Sequence, residues 1–397
     1  MSVHSHSPAS SDNWLETVAV EPVKPTNSKQ EGKGKGSRRL LALDAARGLA
    51  VIGMFLQHFA LNERNAFVAG NTTLLFVLCG GISYSIMAQR MKERGSNVSI
   101  FRSKMLARAV FIDVIGYLLI MLNTPYGIIL PAYAAMFLLA LVLVNRSTRL
   151  IVYSALSLLL LAPPLMILGM SYLKGAYLLE DIAGGPMSAV ALAPAFVAGM
   201  AIARFNLTDK RIATTIAISG FLMLTIGKLL ATYVLPDLTT SFESWIVSVM
   251  DLNQTPPDEY AIWPHNVTPP QMWHLLLQTA PHTASTFQTL IGLGIAFIVL
   301  GLTFLIPSRI KIFLTPFAAV GRVALTMYAL QFVIVWILTI LNIGYDLSGI
   351  PLNDLFVVIV TLVIGSIIAR MPNGPLESMM RRFDQIFSSF GAVSAPK

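Results

Sequence analysis

Three ionisable side chains, Asp44, Arg47 and His58, lie inside an otherwise apolar stretch, RLLALDAARGLAVIGMFLQHFALN, from Arg39 to Asn62. An imidazole, with an ordinary pKa of about 6.5, suits proton transfer near neutral pH, or serves as a hydrogen-bonded structural group. A guanidinium oriented by a carboxylate can hold a phosphate or carboxylate ligand, although the same pair at i,i+3 can equally satisfy itself and snorkel to an interface. On a helix of about 1.5 Å and about 100° per residue, Asp44 and His58 fall roughly 21 Å apart along the axis and within roughly 40° of one face. Arg47 falls about 60° to the same side. A charged group at membrane depth is costly and points by default to function.

Other polar residues extend this chemistry. His282 stands in Ala280-Pro281-His282-Thr283-Ala284-Ser285-Thr286, ahead of an apolar segment. Thr283, Ser285 or Thr286 can cap that helix, leaving N–H groups and a positive dipole end beside the imidazole. Such an end stabilises an anion or a developing oxyanion, or is an ordinary cap next to a solvated histidine. His265 and His274 precede it at spacings of nine and eight residues, which match no compact metal motif, so no metal site is expected. Asp113 and Arg322 are further charges within apolar segments, and Thr326, Tyr328 and Gln331 continue a polar trace from Arg322. Arg322 either binds a substrate phosphate or pairs with Asp44 or Asp113, while the partner of Asp113 is expected on another helix. The run RMKERGSNVSIFRSKMLAR is a topology signal that would also suit the phosphates of a nucleotide-bearing donor.

The elements that must position these residues follow from composition. Of 397 residues, 55% are hydrophobic and 12% charged, and the mean hydropathy is +0.68. That excludes an ordinary soluble globule and implies an all-α polytopic membrane protein. Apolar segments at 40–60, 67–89, 105–123, 126–145, 149–170, 186–205, 211–234, 284–306, 313–342 and 354–371 predict ten spans, with Pro163 and Pro164 kinking the fifth. Residues 1–38 are expected to be a disordered tail with no signal peptide, residues 39–385 the membrane domain, and 386–397 a second tail. His4 and His6 fall in the first tail and are given no role. The net charge of +8 lies between apolar segments, a topology signal rather than a nucleic-acid footprint. All of the 28 Lys and Arg residues except Arg47, Arg64, Lys174, Lys228 and Arg322 fall on the N-terminal side of this arrangement, so both termini are expected in the cytoplasm. The loop 235–283 is unusually long and rich in Trp, and reads as short interfacial helices capping the membrane domain. Cys79 is the single cysteine, so no intramolecular disulfide forms. No internal repeat of the kind found in many transporters is present.

Taken together, the motifs resemble a known family. LDAARGLAVIGMFLQHF is similar to the first helix of bacterial YeiB-like membrane proteins and of their wider relatives, the heparan-α-glucosaminide N-acetyltransferase group. PHTAST, GRVALTMYALQ, GPLESMMRRF and the glycine-bearing FVLCGGIS fit the YeiB-like pattern, so that the resemblance spans roughly residues 38–385. It implies a membrane acyltransferase with acetyl-CoA as cytoplasmic cosubstrate, no bound cofactor, and an acceptor on the opposite side. Asp44, Arg47 and Gly48 match the first-helix motif. The relatives carry their catalytic histidine further into the first outer loop, where residues 59–72 here have none, and PHTAST departs from the commoner PHSGT.

The expectation is therefore transfer of an acyl group, acetyl above all, from a CoA thioester to an extracytoplasmic sugar, glycolipid or envelope glycan at a bacterial inner membrane. His58 is the expected catalytic base, with His282 as alternative base or oxyanion partner. Arg47, Arg322, Asp44, Asp113 and Gln331 are the expected donor- and substrate-binding set. The alternatives are a transporter or flippase for an envelope precursor or small anionic solute, and a structural subunit of an envelope assembly. The expected partners are the bilayer, acyl-CoA and the acceptor, with no nucleic acid; a homo-oligomer is left open.

Overall fold

A computed structural model describes residues 32–95, 98–173, 176–250 and 273–393, which form helices joined by loops, with no strand among them. The helices are α1 (Gly32–Phe59), α2 (Asn71–Glu93), α3 (Val98–Ile120), α4 (Leu130–Leu143), α5 (Thr148–Tyr172), α6 (Tyr177–Ala183) and α7 (Ala189–Ile202). They continue with α8 (Lys210–Tyr233), α9 (Leu235–Met250), α10 (Thr286–Leu305), α11 (Thr315–Arg322), α12 (Ala324–Ile340), α13 (Asn353–Ile368) and α14 (Pro375–Val393). Among the described residues, four helices are long and apolar enough to cross a membrane: α2 with its preceding turn, α5, α8 and α10. The bent pair formed by α11 and α12 makes a fifth. The apolar helices α4, α7 and α13 are shorter. This is a helical membrane protein.

Three sequence expectations change. Helix α1 begins at Gly32, so the end of the expected 1–38 tail is helical despite Gly32, Gly34 and Gly36, each a poor helix former that a helix nucleated further on must carry. Residues 1–31 lie outside the described residues. The 386–397 tail is helical as far as Val393, because Leu376, Met380 and Phe383 give α14 one apolar face, on which Phe383 packs 5.8 Å from Phe111. The segment 313–342, expected as one span, breaks at Val323 with a bend of 67°. The break exposes backbone donors, and the Glu377 carboxylate of α14 accepts from the N–H groups of Leu325 (2.8 Å) and Thr326 (3.1 Å) and from the Thr326 hydroxyl. A carboxylate from a distant helix thus does the work of an N-cap, and its charge suits the positive helix end. Part of the 235–283 loop is helix α9 and part a 3-10 turn at Trp273–Leu277; His265 lies outside the described residues.

Helix α1 is central, packing on α2, α10, α11, α12 and α13. Its contact with α11 is backbone on backbone. A Cβ on Gly48 would lie 1.9 Å from the Phe317 carbonyl oxygen, and one on Gly321 would lie 1.8 Å from that of Asp44. Helices α2 and α7 meet in the same way through Gly81 and Gly199. Without a hydrophobic force between helices in lipid, such close approach supplies the van der Waals contact. Gly321→Ala should therefore be destabilising by more than the about 1–3 kcal/mol of ordinary overpacking, because backbone must move. Gly349→Ala, with open space around it, should be neutral. Thermal unfolding and size-exclusion profiles in detergent would check both, and a Gly321→Ala protein as stable as Gly349→Ala would refute the packing.

Candidate functional site

The close crossing of α1 and α11 positions the first cluster. Arg47 Nη1 pairs with Asp44 Oδ1 at 3.0 Å and donates to the Gly321 carbonyl at 3.2 Å; Nη2 donates to the Ser83 hydroxyl. Ser83 in turn donates to the Cys79 carbonyl at 2.7 Å. The guanidinium therefore ties α1, α2 and α11 together with its charge compensated. Arg47 lines a cavity of about 240 Å³ together with Arg108, Arg322, Tyr84 and Glu377. Arg108 Nε donates to Asp384 Oδ2 of α14 at 2.7 Å, and Arg322 Nη2 to the Ala369 carbonyl at 2.6 Å. Burial raises the Asp384 carboxyl above its ordinary range, while the Arg108 charge pulls the other way. The Tyr84 hydroxyl is buried here without a protein partner. Three guanidiniums around one cavity can hold an anionic group, and Arg fork geometry favours phosphate or carboxylate.

The second cluster lies at the other end of α1, around a cavity of about 640 Å³. His58 is clamped there: its ring stacks on Tyr126 (centroids 4.0 Å apart, planes 16° apart) and meets the edge of Phe332 at 5.6 Å. The Tyr126 hydroxyl donates to the His58 carbonyl at 2.8 Å. His58 Nδ1 is closed off without a partner, which leaves Nε2 as the nitrogen with access to the cavity. Across the cavity, Gln57 Nε2 lies 2.7 Å from His282 Nε2. Gln57 Oε1 accepts from the Gly70 N–H at 3.4 Å, so its amide nitrogen donates and His282 Nε2 accepts. That places the His282 proton on Nδ1 and fixes the ring as a neutral tautomer. Gly70 has φ +71°, and a Cβ there would lie 3.1 Å from the His282 nitrogen; only glycine fits this contact comfortably.

The loop carrying His282 is strained. His282 (φ +63°) and Ala284 (φ +52°) adopt the left-handed region, a cost of about 1–3 kcal/mol each that survives where surroundings over-determine the backbone. Thr283 bonds back to the Ala280 carbonyl, Ser285 to that of Gln278, and Thr286 Oγ1 to that of Leu159 on α5. Ser285 caps α10 through the Gln288 N–H at 3.0 Å.

Of the residues singled out in the sequence, Asp44, Arg47 and Arg322 gather at the inner cluster and His58, His282 and Gln331 at the outer one. Arg322 pairs with neither Asp44 nor Asp113 but with a backbone carbonyl. Asp113 lines neither cavity; its neighbour is Asp181, which accepts from the Tyr117 hydroxyl. Gln57, Tyr126, Arg108, Glu377 and Asp384 escaped sequence reading. Gln57, beside His58 in the first-helix motif, was the one with a local signal. Among the described residues no group of three His, Cys, Asp or Glu side chains could hold a metal ion.

Between the cavities stands a layer of aromatic rings. Phe76 and Tyr133 wall the inner one and Tyr328 the outer, with Phe76 5.8 Å from Tyr133 and 6.0 Å from Tyr328. The fold and site define a helical membrane protein with an arginine-lined cavity and a histidine-lined cavity stacked along one helix. Residues 261–386 match the model of a family described as a protein of unknown function (DUF418), membrane proteins like YeiB, in keeping with that part of the resemblance. No curated protein matches the chain.

Burial lowers His282, which sits in the loop ahead of α10, to about 4. The native state then binds fewer protons than the unfolded chain, whose imidazole titrates near 6.5. His282 stabilisation is complete above about pH 6.5 and falls as pH drops towards about 4, by at most about 3 kcal/mol. The difference in melting temperature between wild type and His282→Gln, followed from pH 7.5 to 4.5, should shrink steadily. A pH-independent difference would contradict the neutral buried ring.

Proposed function

We propose that the protein is a membrane acyltransferase that passes an acyl group, acetyl in the simplest case, from a CoA thioester to an extracytoplasmic sugar, glycolipid or envelope glycan. One observation carries this reading: α1 presents Arg47 to a cavity suited to donor phosphates at one end and His58 to a cavity suited to proton transfer at the other. The rings of Phe76 and Tyr133 on one cavity and Tyr328 on the other meet between them.

His58 Nε2 takes the proton of the acceptor hydroxyl or amine as the acceptor atom bonds to the thioester carbonyl carbon. The carbon–sulfur bond then breaks, and the CoA thiolate leaves and recovers a proton from the imidazolium. His282, held neutral by Gln57, stands ready to donate its Nδ1–H to the oxyanion. Arg47, Arg108 and Arg322 hold the donor, and Asp44 orients Arg47.

The ten-span arrangement in the cytoplasmic membrane, with both termini inside, belongs to this proposal. The ten expected spans fall on α1, α2, α3, α4, α5, α7, α8, α10, the α11–α12 pair and α13, of which α2, α5, α8, α10 and the bent pair are long and apolar enough by themselves. The Lys and Arg distribution orients them.

The second reading is a transporter or flippase for an envelope precursor or a small anionic solute. The same aromatic layer favours it, since two cavities stacked along one helix with rings between them also suit alternating access. Covalent chemistry separates the two. Purified protein in nanodiscs, given acetyl-CoA and envelope extract, should release free thiol and add an acyl mass increment to a glycan. His58→Ala should lower that rate about 10²–10⁴-fold with unchanged membrane abundance. Full activity in His58→Ala would remove His58 as the base. A deletion strain whose glycans keep every acyl increment while unmodified precursor accumulates inside would favour transport.

A further inference from the structure

Helix α14 has 19 residues, enough to cross a membrane, yet it carries Glu377, Arg381, Arg382 and Asp384 and is not apolar enough to do so. Its charges are sorted by face. Both acids are engaged with the protein: Glu377 caps the start of α12, and Asp384, 2% exposed, pairs with Arg108 of α3. Leu376 and Met380 pack on the core beside them, and Phe383 on Phe111. Arg381 and Arg382 are exposed and take part in no ion pair among the described residues, so the outward side of α14 carries positive charge alone. Met379 (53% exposed) and Ile386 (56% exposed) stand seven residues apart, within about 20° of one another around the helix. Arg382 lies about 40–60° to one side of both. An apolar strip edged by a guanidinium suits a helix lying in the interface, its apolar side chains among lipid tails and its cation snorkelling to the headgroups.

We propose that α14 seats on anionic phospholipid headgroups of the bilayer surface through Arg381 and Arg382, and that this seating holds Glu377 against the break in α12. The partner's charge follows from the sorting. With Glu377 and Asp384 turned inward, counter-charge for the two guanidiniums comes from outside the helix, and Met379 and Ile386 require that its source also offer an apolar layer. The coupling follows from rigidity. Glu377 and Arg382 are five residues apart on one continuous helix, about 7.5 Å along its axis, so they move together. By linkage, lipid that favours the docked position of α14 favours the Glu377 contacts with Leu325 and Thr326, and those contacts favour lipid. Through α12 the effect reaches Tyr328 and Phe332 in the outer cavity wall. None of this uses the acyl-transfer reading.

Hydrogen exchange followed by mass spectrometry tests it, on full-length protein in nanodiscs of phosphatidylcholine alone or with about one-third phosphatidylglycerol. The anionic lipid should slow exchange across α14 at least about tenfold, and slow Leu325 and Thr326 with it. A guanidinium near an anionic surface contributes about fivefold in binding, so Arg381→Gln/Arg382→Gln should lose most of the slowing. Arg149→Gln/Arg211→Gln, which removes two exposed cations at the starts of α5 and α8, should keep it. Wild type at about 1 M salt should lose it, a measurement that decides if the first double variant does not fold. Slowing that survives in Arg381→Gln/Arg382→Gln, or that both double variants lose alike, overturns the proposal. So does slowing in α14 that leaves Leu325 and Thr326 unchanged. Equal slowing by inorganic phosphate in phosphatidylcholine discs would assign the site to a free anion, and slowing in neutral discs that hold two copies would assign the face to a second chain; either result overturns the lipid partner.

Discussion

A guanidinium cannot sit inside an apolar bundle unless its charge and donors are met, and Arg47 is met by three different helices. Asp44 one turn before it on α1 supplies the charge, Ser83 a hydroxyl from α2, and Gly321 a carbonyl from α11. The last contact exists because Gly48 and Gly321 let α1 and α11 touch along their backbones. Small residues and a polar clamp thus support one another, the packing logic expected where lipid offers no hydrophobic drive for helix association. Exposed surface ion pairs contribute little, but Arg47 and Asp44 are only 20% and 21% exposed, so losing either partner strands the other at high cost. The position of α1, and with it the placing of His58 at the far end, depends on this clamp.

The two ends of α1 treat buried polarity in opposite ways. At the inner end each charged group has an answer in the protein: Asp44 for Arg47, Asp384 for Arg108, the Ala369 carbonyl for Arg322 and two backbone donors for Glu377. At the outer end no formal charge lines the cavity among the described residues, and Gln57 and Gln331 answer the two imidazoles with neutral amides. Two left-handed residues beside them add backbone strain. Stability is thus concentrated at one end and relinquished at the other, the distribution expected where a site is held ready for a ligand.

Much of this was legible in the sequence because it is local. Apolar run lengths marked the helical segments, i,i+3 spacing gave the Asp44–Arg47 pair, Ser285 was one of three candidate caps, and the polar trace ahead of Gln331 marked an unusual helix face. What was hidden depends on neighbours distant in the chain. The break at Val323 carries no proline or glycine of its own, only Gly321 two residues earlier, and is stabilised by Glu377 more than fifty residues later. Arg108 finds Asp384, and Gln57 finds His282, across spans that no periodicity reveals. The surroundings of Asp113 were hidden for the complementary reason. A charge in an apolar segment signals that it has a partner or a purpose, and cannot say that its neighbour is Asp181, which accepts from Tyr117.

The least expected consequence concerns α14. Glu377 and Asp384 stand seven residues apart, two helical turns, so that one face of this helix carries both carboxylates. One caps α12 and the other pairs with Arg108 on α3, while Met379, Ile386 and Phe387 remain exposed with Arg381 and Arg382 among them, the composition of a helix lying on a membrane surface. Helix α12 is the one that bears Tyr328, Gln331 and Phe332. The outer cavity wall is therefore anchored through a stiff helix to an element at the opposite end of the bundle. Removing the Glu377 carboxylate would leave two backbone donors of a broken helix unmet in a low-dielectric interior, at about 1–3 kcal/mol each. The bend that aims Gln331 and Phe332 into the outer cavity is in this sense set from the inner end, by the same helix that holds Arg108 at the inner cavity.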